Sequence, residues 1–357
     1  MRFPLASGLG PTGTVPSVRR LIGVGLVAVL LSATATACGS AQNKGGSSSD
    51  QPTVDSKTAA ALKAEGEVNL IDNTYGSEPV QAALIAKVIN SFGGSAKVTT
   101  MADIPLAWKT LGDSNNAIQP EMWTGLFAPQ VKQYITDEKS VITSKSATVG
   151  AEGWFVPTYV IKGDPSRNIK PTCPGLPDWH ALNQCVNVFK TAATGSQGQY
   201  MNGMKAWVPY YGDDDRIKNL KLNYKMTFAG SEAALFAEWK RNYEAGKPFL
   251  ALLYGPSYTT LKYDVTKVNF PTYSKKCWDT THACDWPDID IQNTASAKLV
   301  DAHPLAWQIL QKYDLQNDQL KKMMIAVTED GLTPAQAVDN WWAANKSIWE
   351  KWAPTAS

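Results

Sequence analysis

The chain has only three histidines, His180, His282 and His303, in 357 residues. It lacks a His-Glu-x-x-His run, a Gly-x-Ser-x-Gly elbow and a glycine-rich phosphate loop. The usual sequence marks of a zinc hydrolase, a serine hydrolase or a nucleotide-binding enzyme are therefore missing. No Cys-x-x-Cys pair supplies the common spacing of a structural zinc site. Charge of one sign is also scarce, with 34 Lys and Arg against 32 Asp and Glu. The first 37 residues hold three of the cations and no acid, which leaves 31 cations against 32 acids in the remainder. A body this close to neutral has no electrostatic footprint for nucleic acid or for a membrane surface. What the chain has in excess is aromatic: 13 Trp and 13 Tyr within a 44% hydrophobic composition. At roughly 100–200 residues per domain, this length fits about two domains with real cores.

The N-terminus reads as an address. Arg19 and Arg20 precede an apolar run, Leu21 to Leu31, of eleven residues. A membrane span takes about 20, so the run suits a signal peptide over residues 1–37. Ala35-Thr36-Ala37-Cys38 resembles a bacterial lipobox, with Ala35 at the position usually held by Leu. Cleavage before Cys38 and lipidation of its thiol are expected. Residues 38–56 then form a Gly/Ser-rich tether, and the domain is held at the outer face of the cytoplasmic membrane. Four further cysteines in an exported chain imply two disulfides, and local pairing of Cys173 with Cys185 and of Cys277 with Cys284 is the simplest of the three connectivities.

Strand and helix patterns alternate along the chain. A strand over 66–72 is followed by a loop and by a helix from Ser77, with Pro79 in its first turn and Gly93-Gly94 ending it. Strands are expected at 97–101, 117–123, 222–228, 248–254 and 263–270, and helices at 105–111, around 179–189, at 231–245 and over most of 301–352. This alternation is the signature of an α/β protein. Trp341, Trp342, Trp349 and Trp352 share one helical face and read as core. Trp239 and Trp307 sit on helices and read as core too, and Trp278 and Trp286 flank the second cysteine pair. Asp103 reads as a helix cap and Glu121 as the partner of a Lys, with direct counter-charges to a bound cation as the alternative for both; Asp213-Asp214-Asp215 reads as a solvated loop or cap, with a lobe-closing contact to Arg216 as the alternative.

Trp123, Trp154 and Trp207, with Tyr75 and Tyr254, fall at strand ends or in the loops after them. Open α/β sheets bind ligands there. A box of electron-rich ring faces is what a quaternary ammonium group needs, because such a cation has no N–H to donate. At roughly 2 kcal/mol per desolvated face, three or four rings approach the 8.2 kcal/mol of a micromolar complex.

At these residues the chain resembles the glycine betaine/choline-type substrate-binding proteins of ABC importers, the OpuAC or ProX-like family. The resemblance covers about 66–352. It rests on Ala102 to Trp108, Glu121-Met122-Trp123-Thr124-Gly125, Gly153 to Tyr159, Cys173 to Trp179, Gly230 to Leu235, Cys277 with Cys284-Asp285-Trp286-Pro287, and Pro334 to Ala337 with Trp341, Trp349 and Trp352. It implies a two-lobed, periplasmic-binding-protein-like (type II) α/β fold with a hinged cleft. The first lobe would comprise 57–152 and 262–357 and the second 153–261. It implies a cage from Tyr75, Trp123, Trp154, Trp207 and Tyr254, with the ligand's polar end met by the N–H groups of Gly76 and Ser77. Where the family often carries Trp-x-Pro-His, this chain reads Tyr254-Gly255-Pro256-Ser257. Ser257 and Tyr258 then stand in for the imidazole donor, and choline or another betaine becomes as plausible a ligand as glycine betaine. The resemblance further implies a monomeric, cofactor-free and metal-free binding protein serving a permease and its ATPase. The readings set against it are a same-fold receptor for an amino acid or polyamine and, more remotely, a secreted enzyme.

Overall fold

The computed structural model describes residues 54–148, 150–287 and 289–356. The expected signal peptide, Cys38 and most of the tether lie outside these residues. Asp55 and Ser56, at the expected tether's end, instead start the first helix, Ser56–Ala64, with the Asp55 carboxylate accepting the Thr58 N–H at 2.8 Å. Among the described residues no helix is long and apolar enough to cross a membrane.

The strands are β1 (Glu67–Asp72), β2 (Ser95–Thr100), β3 (Ala117–Trp123), β4 (Val141–Lys145), β5 (Ala151–Pro157), β6 (Gly198–Asn202), β7 (Tyr224–Phe228), β8 (Ala251–Gly255), β9 (Val265–Lys267) and β10 (Ile291–Ser296). They form two five-stranded sheets, ordered β2-β1-β3-β10-β4 and β7-β6-β8-β5-β9. β1 runs parallel to β2 and β3, whereas β10 is antiparallel to both β3 and β4. The second sheet repeats the scheme, with β6 parallel to β7 and β8 and β5 antiparallel to β8 and β9. Every residue of β3 is buried, as expected for a strand covered on both faces.

Each sheet builds its own core. In the first lobe, helix Glu78–Ser91 packs between the sheet and helix Pro334–Ala344. Trp341, Trp342, Trp349 and Trp352 are all buried there. The Trp342 and Trp349 rings stack at 4.1 Å, and Trp349 Nε1 donates to the Trp342 carbonyl at 3.0 Å. The polar edge of Trp349 is thus satisfied while its ring faces leave water. In the second lobe, Trp154, Tyr200 and Trp239 are fully buried. Both expected disulfides form, Cys173–Cys185 and Cys277–Cys284.

Around residue 261 the chain serves both lobes: Tyr258 and Tyr263 pack in the first lobe's core, and β9 then joins the second sheet. β9 pairs with β5, and Trp286 packs with Trp154, Phe270 and the rest of that lobe's core. The return to the first lobe follows residue 287 and is complete at β10, because the Cys277–Cys284 segment covers the second lobe's core and not the first. Asp213 also departs from expectation. It is fully buried and accepts hydrogen bonds from Trp154 Nε1 at 2.8 Å, Tyr200 Oη at 2.8 Å, Asn202 Nδ2 at 3.0 Å and Arg216 Nη1 at 2.7 Å. Arg216, equally buried, lies 3.7 Å over the Trp286 ring. Only Asp214 and Asp215 are solvated.

Candidate functional site

The loops after β1 and β3 in the first lobe, and after β6 with the end of β8 in the second, converge on one cavity of about 60 Å3. One water needs roughly 10–15 Å3 on this measure, so the space suits a small solute. The first lobe lines it with Tyr75, Ile104, Trp123, Leu126 and Phe127, and the second with Glu152, Trp207, Tyr210, Tyr211 and Tyr254. No Lys or Arg lines it. The rings form a connected series of edge-to-face contacts: Trp123 to Tyr254 at 5.8 Å, Tyr254 to Trp207 at 6.0 Å and Trp207 to Tyr211 at 6.3 Å. Phe127 of the first lobe meets Tyr210 of the second at 6.0 Å. Gly203 makes room for Trp207, since a Cβ there would lie 2.2 Å from the indole ring.

The backbone is strained where it reaches the site. Thr74 and Glu121 take φ values of +66° and +55°, a left-handed conformation that costs a β-branched or long side chain energy. In Glu121 the twist turns the carboxylate toward the start of helix Glu78–Ser91. The Ser77 N–H donates to its Oε1 at 3.3 Å, the Ser77 hydroxyl donates to Oε2, and Gln81 Nε2 donates to Oε2 at 2.8 Å. Trp123 Nε1 donates to Oε1 at 3.4 Å. No Lys pairs with Glu121, contrary to expectation; the amide, hydroxyl and indole donors take that place. Ser77 precedes the helix as expected, but its hydroxyl serves Glu121 and not the helix start. Asp103 does cap its helix, accepting the Leu106 N–H at 2.8 Å.

Three acids around the cavity resist ionisation. Burial pushes Glu121 and Glu152 each up to about 8, against the hydrogen bonds that Ser77 and Tyr211 respectively supply. Burial pushes Glu232 up to about 7, partly offset by the Tyr254 hydroxyl and the Gly76 N–H. A cation arriving among them would favour their charged forms.

Of the expected cage, the fold brings together Tyr75, Trp123, Trp207 and Tyr254. Trp154 is elsewhere: it is fully buried, stacked 3.8 Å from Tyr200, with its indole N–H on Asp213. Among the expected polar-end residues, Gly76 donates its N–H to Glu232 Oε1 at 3.0 Å. Ser257 is buried as the cap of helix Tyr258–Lys262, in a reciprocal pair with Thr260. The Tyr258 hydroxyl donates to Glu329. Neither Ser257 nor Tyr258 lines the cavity, but Tyr258 lines the adjoining groove together with Tyr75, Gly76 and Glu232. Phe127, Tyr210, Tyr211 and Glu152 do line it, though the sequence reading did not single them out. Tyr210-Tyr211 follow Trp207 closely enough to have been taken with it, and Glu152 is an acid inside an otherwise apolar strand.

The trimethylamine N-oxide-binding protein of Pelagibacter ubique (strain HTCC1062) is 25% identical to this chain over 286 residues, covering 78% of this chain and 87% of the relative. Lactococcal OpuAC, solved closed on glycine betaine, superposes with a TM-score of 0.59 at 17% identity, over 81% of this chain and 99% of its own. An ABC-transporter choline-binding protein, solved with choline, does so with a TM-score of 0.59 at 14% identity, over 81% of this chain and 92% of its own. At such identities these structures establish the two-lobed binding-protein fold. Residues 66–344 match the model of the substrate binding domain of ABC-type glycine betaine transport systems, and the chain belongs to that family.

Proposed function

We propose that this ABC-transport substrate-binding protein, which is not an enzyme, captures a small solute bearing a trimethylated nitrogen in the aromatic cavity between its lobes. The observation that carries the reading is the cavity wall: ring faces from both lobes, one carboxylate at Glu152, and no cationic side chain. Ring quadrupoles attract a methylated cation that water cannot hydrogen-bond. Glu152, pushed up to about 8 by burial, gives up its proton as the cation arrives and then adds a counter-charge in a medium where water screens poorly. The names of similar proteins point the same way, toward trimethylamine N-oxide, glycine betaine and choline.

A ligand in this place touches both lobes at once. It therefore stabilises the closed arrangement over the open one by its differential contacts, and the closed form is what a permease would read. Lipidation at Cys38 would hold the monomeric domain outside the cytoplasmic membrane, within reach of the permease and its ATPase.

The test is isothermal titration of the chain lacking residues 1–37 with tetramethylammonium, choline, trimethylamine N-oxide, glycine betaine and carnitine. Micromolar binding of at least one, lost by more than tenfold in Trp123→Ala, is expected. Silence with all five on a folded sample would overturn the reading.

A further inference from the structure

Helix Glu78–Ser91 begins at the cleft, and a helix start is an anion-binding place because its first N–H groups lack partners and its dipole favours negative charge. Here the protein supplies the anions itself. The first lobe's Glu121 takes the Ser77 N–H and hydroxyl. Glu232 arrives from the other lobe, from the first turn of helix Glu232–Glu244, and takes the Gly76 N–H at 3.0 Å. Gly76 has φ +57°, and a Cβ there would lie 2.5 Å from Glu121 Oε1, so the two carboxylates crowd one bare stretch of backbone. The place is next to the cage. Tyr75 and Trp207 line both the cage and the neighbouring groove, and Gly76 and Glu232 line that groove.

We infer that Glu232 is a specificity-determining residue: its carboxylate occupies the seat that a ligand carboxylate would need, and so selects trimethylammonium solutes that carry no carboxylate. The inference rests on the cage reading above. A betaine entering the cage would have to displace Glu232 or leave its own carboxylate beside two others. Choline, whose polar end is a hydroxyl, can donate to an acid; trimethylamine N-oxide can accept from a protonated one.

The experiment measures dissociation constants of tetramethylammonium, choline and glycine betaine for the wild type, Glu232→Gln and Glu232→Ala. The wild type is expected to prefer choline over glycine betaine by at least tenfold. Glu232→Ala should tighten glycine betaine at least tenfold while tetramethylammonium stays within about threefold. Glu232→Gln, which keeps the shape without the charge, should fall between. Equal wild-type affinity for choline and glycine betaine would overturn the inference, as would a uniform loss for all three ligands in both variants. A wild type that binds none of the three, tetramethylammonium included, would instead overturn the cage reading and this inference with it.

Discussion

Trp123 from the first lobe and Tyr254 from the second meet edge to face across the cleft, their centroids 5.8 Å apart and their planes at 88°. With Phe127 and Tyr210 it is one of the ring pairs that join the two separately built cores, so a change there is felt in binding before stability. Trp123→Ala should weaken onium binding by more than tenfold in calorimetry. Trp349→Ala, deep in the first lobe's core, should instead lower unfolding stability by about 3–5 kcal/mol and leave the affinity of the folded protein unchanged. If both variants bind like the wild type, the cage is misassigned.

Acidity at the site makes both stability and binding respond to pH. Glu121 and Glu152 are raised from 4.5 to about 8, and Glu232 from 4.5 to about 7. The folded apo-protein therefore holds more protons than the unfolded chain between about pH 4.5 and 8, and these groups make it less stable as pH rises through that window. Its melting temperature should be higher at pH 5.5 than at 8.5, and Glu152→Gln should flatten the slope. Binding has the opposite sign. Tetramethylammonium should bind more tightly at pH 8.5 than at 6, with proton release detectable by titration in buffers of different ionisation enthalpy. A pH-independent affinity would mean that no carboxylate faces the ligand.

The Asp213–Arg216 pair supports the second lobe and not the ligand. Asp213→Ala leaves Arg216 buried without its charge partner and removes the acceptor of three further donors. Stability should drop by about 3–5 kcal/mol, measured by urea unfolding, while the affinity of the folded protein changes less than threefold. A selective loss of binding would place this cluster at the ligand after all.

Gly203→Ala probes the seat of Trp207. The added methyl would press on the indole from 2.2 Å, and the ring must turn. The affinity for a trimethylammonium ligand should fall about tenfold, with a small change in unfolding midpoint. An unchanged affinity would exclude Trp207 from the site.

How far the sequence revealed the site depended on what each residue meets in space. Tyr75, Trp123, Trp207 and Tyr254 were legible because they stand at or just beyond strand ends, which local pattern locates. Trp154 was not, because β5 is buried from Glu152 to Pro157 and the Trp154-Phe155-Val156 run has no alternation to say which way a ring points. Asp213 looked solvated because Asp-Asp-Asp is a surface composition; its burial is decided by Trp154 and Tyr200, neither adjacent in sequence. Ser77 was placed at the right helix but given the wrong partner, since Glu121 lies 44 residues away. Of the strands, β1, β2, β3, β7, β8 and β9 were readable in the sequence, whereas β4, β5, β6 and β10 were not.

The position of β10 has a bearing on time as well as on shape. It fills the gap between β3 and β4, yet it is made after the whole of the second sheet. As the chain emerges from its N-terminus, the second sheet receives all its strands in one continuous stretch and can assemble first. The first sheet must wait with β3 and β4 unjoined until Ile291–Ser296 arrives, and its tryptophan-rich helices come later still. The half of the protein that begins the sequence is therefore the half whose sheet is completed last.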